Sequence, residues 1–271
     1  ASSPTGPAFE GAQISSGQRA APGAIERVRV DPQTLEPRFR VIGCELWSDD
    51  PDFAQQTADL GITGICGSGI IEVLAELYLA QVINSDGVVD GMLSSRSERI
   101  VEDGRTFAYV LHEGEIRVTI TQNDVRAIQL AKAALYAGVR LLMDKLNVDT
   151  VDRIRLAGAF GSHIDVKYAM ILGLIPDCAL ENVTSAGNAA GSGAHIALVD
   201  GNAREEIERE IRRIEKVETA VESRFQEHFV EAMAIPHKSA LFEELGKAVV
   251  LPARDNSASQ APASGRRRRR R

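Results

Sequence analysis

The sequence predicts an α/β fold, and three observations support this prediction. Residues 25–30, 38–42 and 107–120 alternate between apolar and polar side chains with the period of two that is typical of strands. Residues 70–83 and 121–146 have apolar side chains at the three- and four-residue spacing of helices. The composition, with 44% hydrophobic and 25% charged residues, is that of a globular protein.

Each predicted element in the first half of the chain follows from a local signal. Asp31 and Pro32 provide turn chemistry between the first two strands, and His112-Glu113-Gly114 does so between the next two. Thr121 and Asp124 fit a capping box, which predicts the start of a long helix. The elements are, in order, a hairpin of residues 25–30 and 38–42, a helix over 70–83, a hairpin of residues 107–111 and 115–120, and a helix that begins at Thr121.

The second half of the chain is predicted to contain one strand, two helices and a tail. In order, we expect a buried strand over 152–160, a small-residue loop over 182–193, a helix over 194–200, a charged helix over about 204–229 and a disordered tail over 253–271. Ala1 and the loop-like residues after it predict that the chain is a piece of a longer protein.

Charge and cysteine content exclude several classes of protein. The net charge is −7, and it becomes −13 without the six arginines of 266–271, so the body is acidic and a nucleic-acid groove on it is not expected. The arginine run fits either a solvated tail or contact with nucleic acid or an anionic membrane, and we expect no specific nucleic-acid recognition. No apolar stretch approaches the roughly 20 residues of a membrane helix, so no membrane partner is expected.

The cysteines predict a reducing environment. Cys44, Cys66 and Cys178 are odd in number and widely spaced, which argues against a disulfide framework and against a self-contained zinc or iron–sulfur site. We therefore expect no metal site in this chain and a cytoplasmic location.

Three glycine-rich loops at junctions with strands or helices are the main candidates for chemistry. They are Gly64-Ile65-Cys66-Gly67-Ser68-Gly69, Leu156-Ala157-Gly158-Ala159-Phe160-Gly161 and Gly187-Asn188-Ala189-Ala190-Gly191-Ser192-Gly193. Glycine allows a ligand to approach the backbone closely, and amides at a helix start favour phosphate. Each loop alone also fits a tight turn or close helix packing, but three in one α/β chain favour nucleotide binding.

Individual side chains near these loops carry weaker signals. Asp165 fits the cap of a helix over 166–172, and it is the one catalytic candidate because a carboxylate beside a nucleotide can orient a metal-bound water. His163 reads as a surface residue, and Cys66 reads as a small buried side chain.

Several motifs in chain order resemble the reductive activators of corrinoid enzymes. The motifs are Gly6-Pro7-Ala8-Phe9-Glu10-Gly11-Ala12-Gln13-Ile14, Ala20-Ala21-Pro22-Gly23-Ala24-Ile25, the three glycine-rich loops and Thr121-Gln122-Asn123-Asp124-Val125. This family has a [2Fe–2S] domain, a linker and middle domain, and an ATPase domain of the acetate/sugar kinase, Hsc70 and actin superfamily. The resemblance implies that residues 1–252 form the C-terminal portion of such an actin-like, ribonuclease H-like ATPase domain.

The resemblance also implies a function. Such activators reduce a corrinoid protein of a methyltransferase system from Co(II) to Co(I), and ATP binding and hydrolysis drive the electron transfer. The implied cofactors are ATP or ADP with Mg, together with a [2Fe–2S] cluster that belongs to a domain outside this chain. Gly67, Ser68 and Gly69 would contact phosphate or ribose. Gly158, Ala159 and Gly161 would contact adenosine, and Asn188, Gly191, Ser192 and Gly193 would close the other side.

Two departures leave alternatives open. The cysteines cannot supply the family's cluster, and the Asp-x-Gly-Thr turn of the first phosphate motif does not occur, so it is uncertain that this chain alone is an enzyme. One alternative is a non-catalytic module that docks a corrinoid protein or forms a homodimer. Another is a related kinase or metalloenzyme activator of the same superfamily.

Overall fold

The computed structural model describes residues 1–253, and for Ala159 and Phe160 it describes the backbone alone. The predicted disorder of the arginine-rich tail falls on residues 254–271, which lie outside the described residues.

The described part of the chain has the mixed α/β character that the sequence predicts. Its strands are β1 (Ala24–Val30), β2 (Pro37–Val41), β3 (Gly64–Ile65), β4 (Ile100–Asp103), β5 (Thr106–His112), β6 (Val118–Ile120), β7 (Ile154–Ala157) and β8 (Val183–Gly187). Its helices are α1 (Phe53–Gln56), α2 (Gly67–Leu79), α3 (Gln122–Leu146), α4 (Ala159–His163), α5 (Val166–Leu172), α6 (Ala189–Val199), α7 (Gly201–Ile211), α8 (Phe225–Glu231) and α9 (Glu243–Ala248).

The strands form three small sheets. The first has the order β2-β1-β3, with β1 antiparallel to β2 and parallel to β3. The second is an antiparallel meander, β4-β5-β6. The third is the parallel pair β7-β8. Both predicted hairpins are confirmed, and the second gains β4 on its other edge.

The long helix α3 begins where the capping box predicts. The Thr121 hydroxyl accepts a hydrogen bond from the backbone N–H of Asp124, and the Asp124 carboxylate accepts one from the backbone N–H of Thr121. These reciprocal bonds satisfy two backbone donors at the start of the helix. The helix ends at Asn147, whose φ of 54° is the left-handed conformation that asparagine tolerates.

Two predictions near β8 are wrong. The range 182–193 is not a loop, because Val183–Gly187 is a strand and a helix starts at Ala189. Only Val183 of this strand is buried, so the strand lacks the apolar pattern that would reveal it. The predicted strand over 152–160 is shorter, since β7 ends at Ala157 and Gly158 turns the chain into α4.

The single charged helix predicted over about 204–229 is also wrong. The range contains the end of α7, a 3₁₀ turn at Thr219–Val221 and α8. Ile207, Ile211 and Ile214 are exposed. Their side chains therefore do not provide the core packing that would stabilise one continuous helix. Thr219 is buried and donates from its hydroxyl to the carbonyl oxygen of Ser2, which fixes the turn between the helices.

The core is centred on α2, whose side chains are buried along most of its length. Two of these buried side chains are the carboxylates of Glu72 and Glu76, which are one helical turn apart and face β1. Glu72 accepts from the backbone N–H of Val28, and Glu76 accepts from that of Val30, both at 3.0 Å. The helix thereby satisfies donors on the edge of β1 that, within residues 1–253, no strand pairs with beyond Ile25.

Two arginines balance the charge of Glu72. Arg27 Nη1 lies 2.7 Å from Glu72 Oε1, and Arg29 Nη1 lies 2.6 Å from Glu72 Oε2. Both arginines come from β1, so the ion pairs and the backbone hydrogen bonds join the same two elements. Arg29 also lies over the rings of Trp47 and Tyr168, with its Cζ atom 5.5 and 4.9 Å from the ring centroids.

A second buried charge holds the C-terminal region against α3. The Lys132 ammonium donates to the carbonyl oxygens of Ala234 and Pro236, the latter at 2.7 Å. Lys132 is 1% exposed, and burial lowers its pKa well below the ordinary value.

Among the described residues, no helix is both long enough and apolar enough to cross a membrane.

Glu72→Gln is expected to lower the free energy of unfolding by about 2–4 kcal/mol, because it leaves Arg27 and Arg29 beside a neutral buried partner. The two guanidinium groups keep about a third of their surface in water, which limits the loss. Urea unfolding measures the change. The matched control is Glu113→Gln, which breaks an exposed pair with Arg117 and should cost less than about 1 kcal/mol. Equal losses of unfolding free energy in the two variants would show that the buried ion pairs of Glu72 contribute no more than an exposed pair.

Lys132→Met is expected to remove a pH dependence of stability. The pKa of Lys132 is below its unfolded value of 10.5, so between the two pKa values the unfolded chain binds more protons. The wild-type free energy of unfolding therefore rises with pH in that window, by up to about 1.4 kcal/mol per pH unit, and the variant lacks this rise.

Urea unfolding from neutral pH to about pH 10 measures both slopes. Lys145→Met, at an exposed lysine, is the control and should keep the wild-type slope over the same window. Identical slopes in wild type and Lys132→Met would show that burial does not lower the lysine pKa.

Candidate functional site

The second and third glycine-rich loops lie side by side at one edge of the β7-β8 pair. The strands are parallel, so their carboxyl ends meet at the same edge, where ligands of α/β proteins commonly bind. The backbone N–H of Gly158 donates to the carbonyl oxygen of Gly187 at 2.8 Å, which joins the two turns directly.

Gly158 has the properties of a residue that a ligand can approach. Its φ is +104°, a region that favours glycine, and apart from its chain neighbours no atom of the described part of the chain lies within 4 Å of a Cβ built on it. Its carbonyl oxygen accepts from the Ser162 hydroxyl at 3.2 Å, and the Ser185 hydroxyl lies 3.2 Å from that of Ser162. Gly161 differs, because a Cβ there would be 3.0 Å from the Leu156 Cβ atom, so close packing also favours glycine at this position.

The third loop forms the capped start of α6. Asn188 Oδ1 accepts from the backbone N–H of Gly191 at 3.0 Å, and the Asn188 side chain occupies the space that a Gly191 side chain would need. Ser192 is exposed, and a Cβ at Gly193 would have no atom within 4 Å. The start of this 11-residue helix therefore presents small residues to solvent, where backbone amides and the helix dipole favour an anion.

The first loop is placed differently. Ser68 and Gly69 are buried, and a Cβ at Gly69 would overlap the carbonyl oxygen of Ile25. The Ser68 hydroxyl lies 3.3 Å from the Cys66 sulfur, which is also buried. Gly69 is therefore required for close contact between α2 and β1, and only Gly67 at the start of the helix is partly exposed. Helix α2 also contacts α4, which follows the second loop.

Asp165 caps a helix, as its position in the sequence suggests. Its carboxylate accepts from the backbone N–H of Lys167 at 2.9 Å at the start of α5. That bond gives the residue a structural role, and the catalytic role remains a prediction. His163 is exposed and Cys66 is buried, as predicted.

The thiols do not fit the iron–sulfur cluster of the family. A [2Fe–2S] cluster is held by four thiolates, and the chain has three cysteines, each buried in a different part of the fold. Burial, followed by the nearby Asp177 carboxylate, raises the pKa of Cys178 and so disfavours its thiolate form. Within residues 1–253, no group of three or more His, Cys, Asp or Glu residues has the geometry of a metal site.

The sequence reasoning missed several residues around the loops. Glu72 and Glu76 are the acids in an otherwise apolar helix, and their four-residue spacing was the available signal that they share a buried face. Tyr168, whose hydroxyl donates to Glu76, gave no such signal. Gly187, which has a φ of +61° and accepts the hydrogen bond from Gly158, is a further residue of the third loop that glycine content alone does not single out.

The comparisons with known proteins identify the class of this α/β domain as ASKHA (acetate/sugar kinase, Hsc70 and actin). The family model described as "C-terminal domain of RACo the ASKHA domain" matches residues 1–246, and the chain belongs to this family. The predicted fold class and the resemblance to corrinoid activators are thereby confirmed.

Two relatives show what the chain is similar to. It is 35% identical over 211 residues to the corrinoid activation enzyme RamQ of Eubacterium limosum, a match that covers 73% of this chain and 33% of that enzyme. It also matches the structure of a reductive activator for corrinoid, iron–sulfur protein with a TM-score of 0.71 and 34% identity, over 86% of this chain and 35% of that one. The chain therefore spans about a third of the length of each.

Gly69→Ala is expected to lower the free energy of unfolding by about 1–3 kcal/mol, because the added methyl group overlaps the Ile25 carbonyl oxygen. Gly193→Ala is the matched control, since its methyl group meets open space on a helix that favours alanine over glycine. It should leave stability unchanged or raise it slightly. Denaturant unfolding compares the two variants, and a tolerated Gly69→Ala would contradict the packing role.

Proposed function

We propose that this chain is the nucleotide-binding segment of an ATP-dependent reductive activator of a corrinoid protein in a methyltransferase system. Its membership of the ASKHA family supports nucleotide binding, and both relatives act in corrinoid activation according to their names. The observation that carries the proposal is the direct pairing of the Gly158 and Gly187 turns, with open space above Gly158.

The chain's own residues would bind and orient ATP or ADP with Mg. The turn at Gly158 and Gly161 would hold the adenosine, and the amides at the start of α6, from Asn188 to Gly193, would face the nucleotide from the neighbouring strand. Gly67 would contribute at the start of α2. Ser68 and Gly69 would then support this loop from within the core, because both are buried.

The electron would come from another part of the activator. Reduction of Co(II) to Co(I) takes one electron, which the family's [2Fe–2S] cluster supplies. This chain would provide the nucleotide-dependent part of the process, and its partner would be the corrinoid protein. Asp165 caps α5 through Oδ1 alone, and a carboxylate can accept several hydrogen bonds, so the cap and a catalytic role are compatible.

The exposed side chains of α6 favour a second candidate, a docking or dimerisation module. Leu198 is 77% exposed and Val199 is 68% exposed, and Ile196 next to them is half exposed. Large apolar side chains that cluster on a surface commonly mark a protein contact. On this alternative the chain would hold a corrinoid protein or a second copy of itself without using ATP.

Calorimetric titration of the chain with Mg-ATP tests the proposal. Gly158→Val should weaken ATP binding by at least about tenfold, because the side chain fills the space that the nucleotide needs and the residue disfavours positive φ. Gly104→Val is the matched control, since Gly104 has a φ of +62° and equally open surroundings in a turn between β4 and β5. Gly104→Val should lose about as much stability as Gly158→Val, and its affinity for ATP should equal that of the wild type.

Two outcomes would contradict parts of the proposal. Unchanged ATP binding by Gly158→Val, or unchanged ATP turnover when the substitution is made in a full-length activator, would show that the assignment of the strand-end loop is wrong. No heat with ATP, together with saturable binding to a corrinoid protein, would favour the docking alternative.

A further inference from the structure

A buried hydrogen bond joins α2, which begins in the first glycine-rich loop, to α5, which comes after α4 and the second loop. Tyr168 of α5 donates from its hydroxyl to Oε1 of Glu76 on α2. The other carboxylate oxygen of Glu76 accepts from the Val30 backbone, so the carboxylate is held from two sides. Tyr168 is 1% exposed and Glu76 is 9% exposed, which places this bond inside the core.

Each end of this bond lies on an element that leads back to a candidate nucleotide loop. Helix α5 follows α4 after two residues, and α4 begins directly after Gly158. The Asp165 cap fixes the start of α5, so little slack remains between the strand-end turn and Tyr168. At the other end, Glu76 lies on α2, whose first residue is Gly67.

The surroundings of Tyr168 keep it in the donor form. Burial, followed by the hydrogen bond to the Glu76 carboxylate, raises the pKa of Tyr168 far above neutrality. The Arg29 Cζ atom lies 4.9 Å and the Lys167 Nζ atom 4.2 Å from the centroid of its ring, and these cations favour one ring position. A hydrogen bond to a charged acceptor is about twice as strong as a neutral one.

We propose that Tyr168 is a positioning residue for nucleotide binding. Through Glu76 it holds the strand-end turn at Gly158 at a fixed separation from the start of α2, so that both face the same nucleotide. That a nucleotide binds here rests on the proposed function. The link between the two loops rests only on contacts within the chain. Tyr168 does not itself touch the nucleotide in this account.

The test is Tyr168→Phe in the full chain, with Tyr109→Phe as a matched control. Tyr109 is also fully buried and donates one hydrogen bond, to the Leu35 carbonyl oxygen at 2.9 Å, but it lies on β5. Both variants should lose thermal stability, and Tyr168→Phe should lose more because its hydroxyl donates to a carboxylate while that of Tyr109 donates to a neutral carbonyl. Tyr168→Phe alone should weaken Mg-ATP binding by about three- to tenfold and speed backbone hydrogen exchange across residues 158–163.

Hydrogen exchange makes the test independent of nucleotide binding. If the wild-type chain does not bind ATP, the proposed function fails, and faster exchange at 158–163 in Tyr168→Phe alone still supports the link between the loops. Equal exchange in the two variants overturns the inference. If the wild type binds ATP and the two variants bind it equally well, Tyr168 contributes stability and not position, and the inference is likewise overturned.

Discussion

The edge of β1 imposes the constraint on which the central part of the fold depends. The N–H groups of Val28 and Val30 point away from β2, and buried backbone donors need partners. Helix α2 provides the partners as the carboxylates of Glu72 and Glu76, which brings negative charge into the core. Arg27 and Arg29 on the same strand offset the charge of Glu72, and hydrogen bonds from the Val30 backbone and the Tyr168 hydroxyl hold Glu76. The position of α2 is therefore fixed by backbone hydrogen bonds, ion pairs and the close contact at Gly69 together.

The region around β7 and β8 is much more exposed than the core around α2. Parallel sheets are generally covered on both faces, yet Arg155 and Thr184 of this pair are exposed, and no residue of α6 or α7 is buried. The strand-end turns thus lie between a buried core and an exposed surface, and the hydrogen bond from Tyr168 to Glu76 joins α5 on the core side to α2.

The extent to which the sequence predicts the structure differs from one element to the next, for physical reasons. The Thr121 capping box and the two hairpin turns are local signals, so the structures that they predict were found. The sequence did not predict β8, because its exposed residues leave no period-two pattern. It did not predict the start of α6, because a run of alanine, glycine and serine is also typical of a loop. The pairing of the loops at Gly158 and Gly187 depends on contacts between distant parts of the chain. A resemblance over several motifs predicted the family, whereas no single loop could.

The three loops also show why glycine alone does not identify a binding site. Gly69 is required by a neighbouring carbonyl oxygen, close packing favours Gly161, the backbone angle favours Gly158, and neither effect explains Gly193. Gly158 and Gly193, which packing does not explain, lie near the strand ends. Glycine offers no charged side chain to a ligand, and the chain as a whole has a net charge of −7. A nucleotide phosphate bound there would thus depend on backbone amides, the dipole of α6 and its own Mg²⁺ for favourable electrostatics, and these are the contributions that a glycine-rich turn leaves accessible.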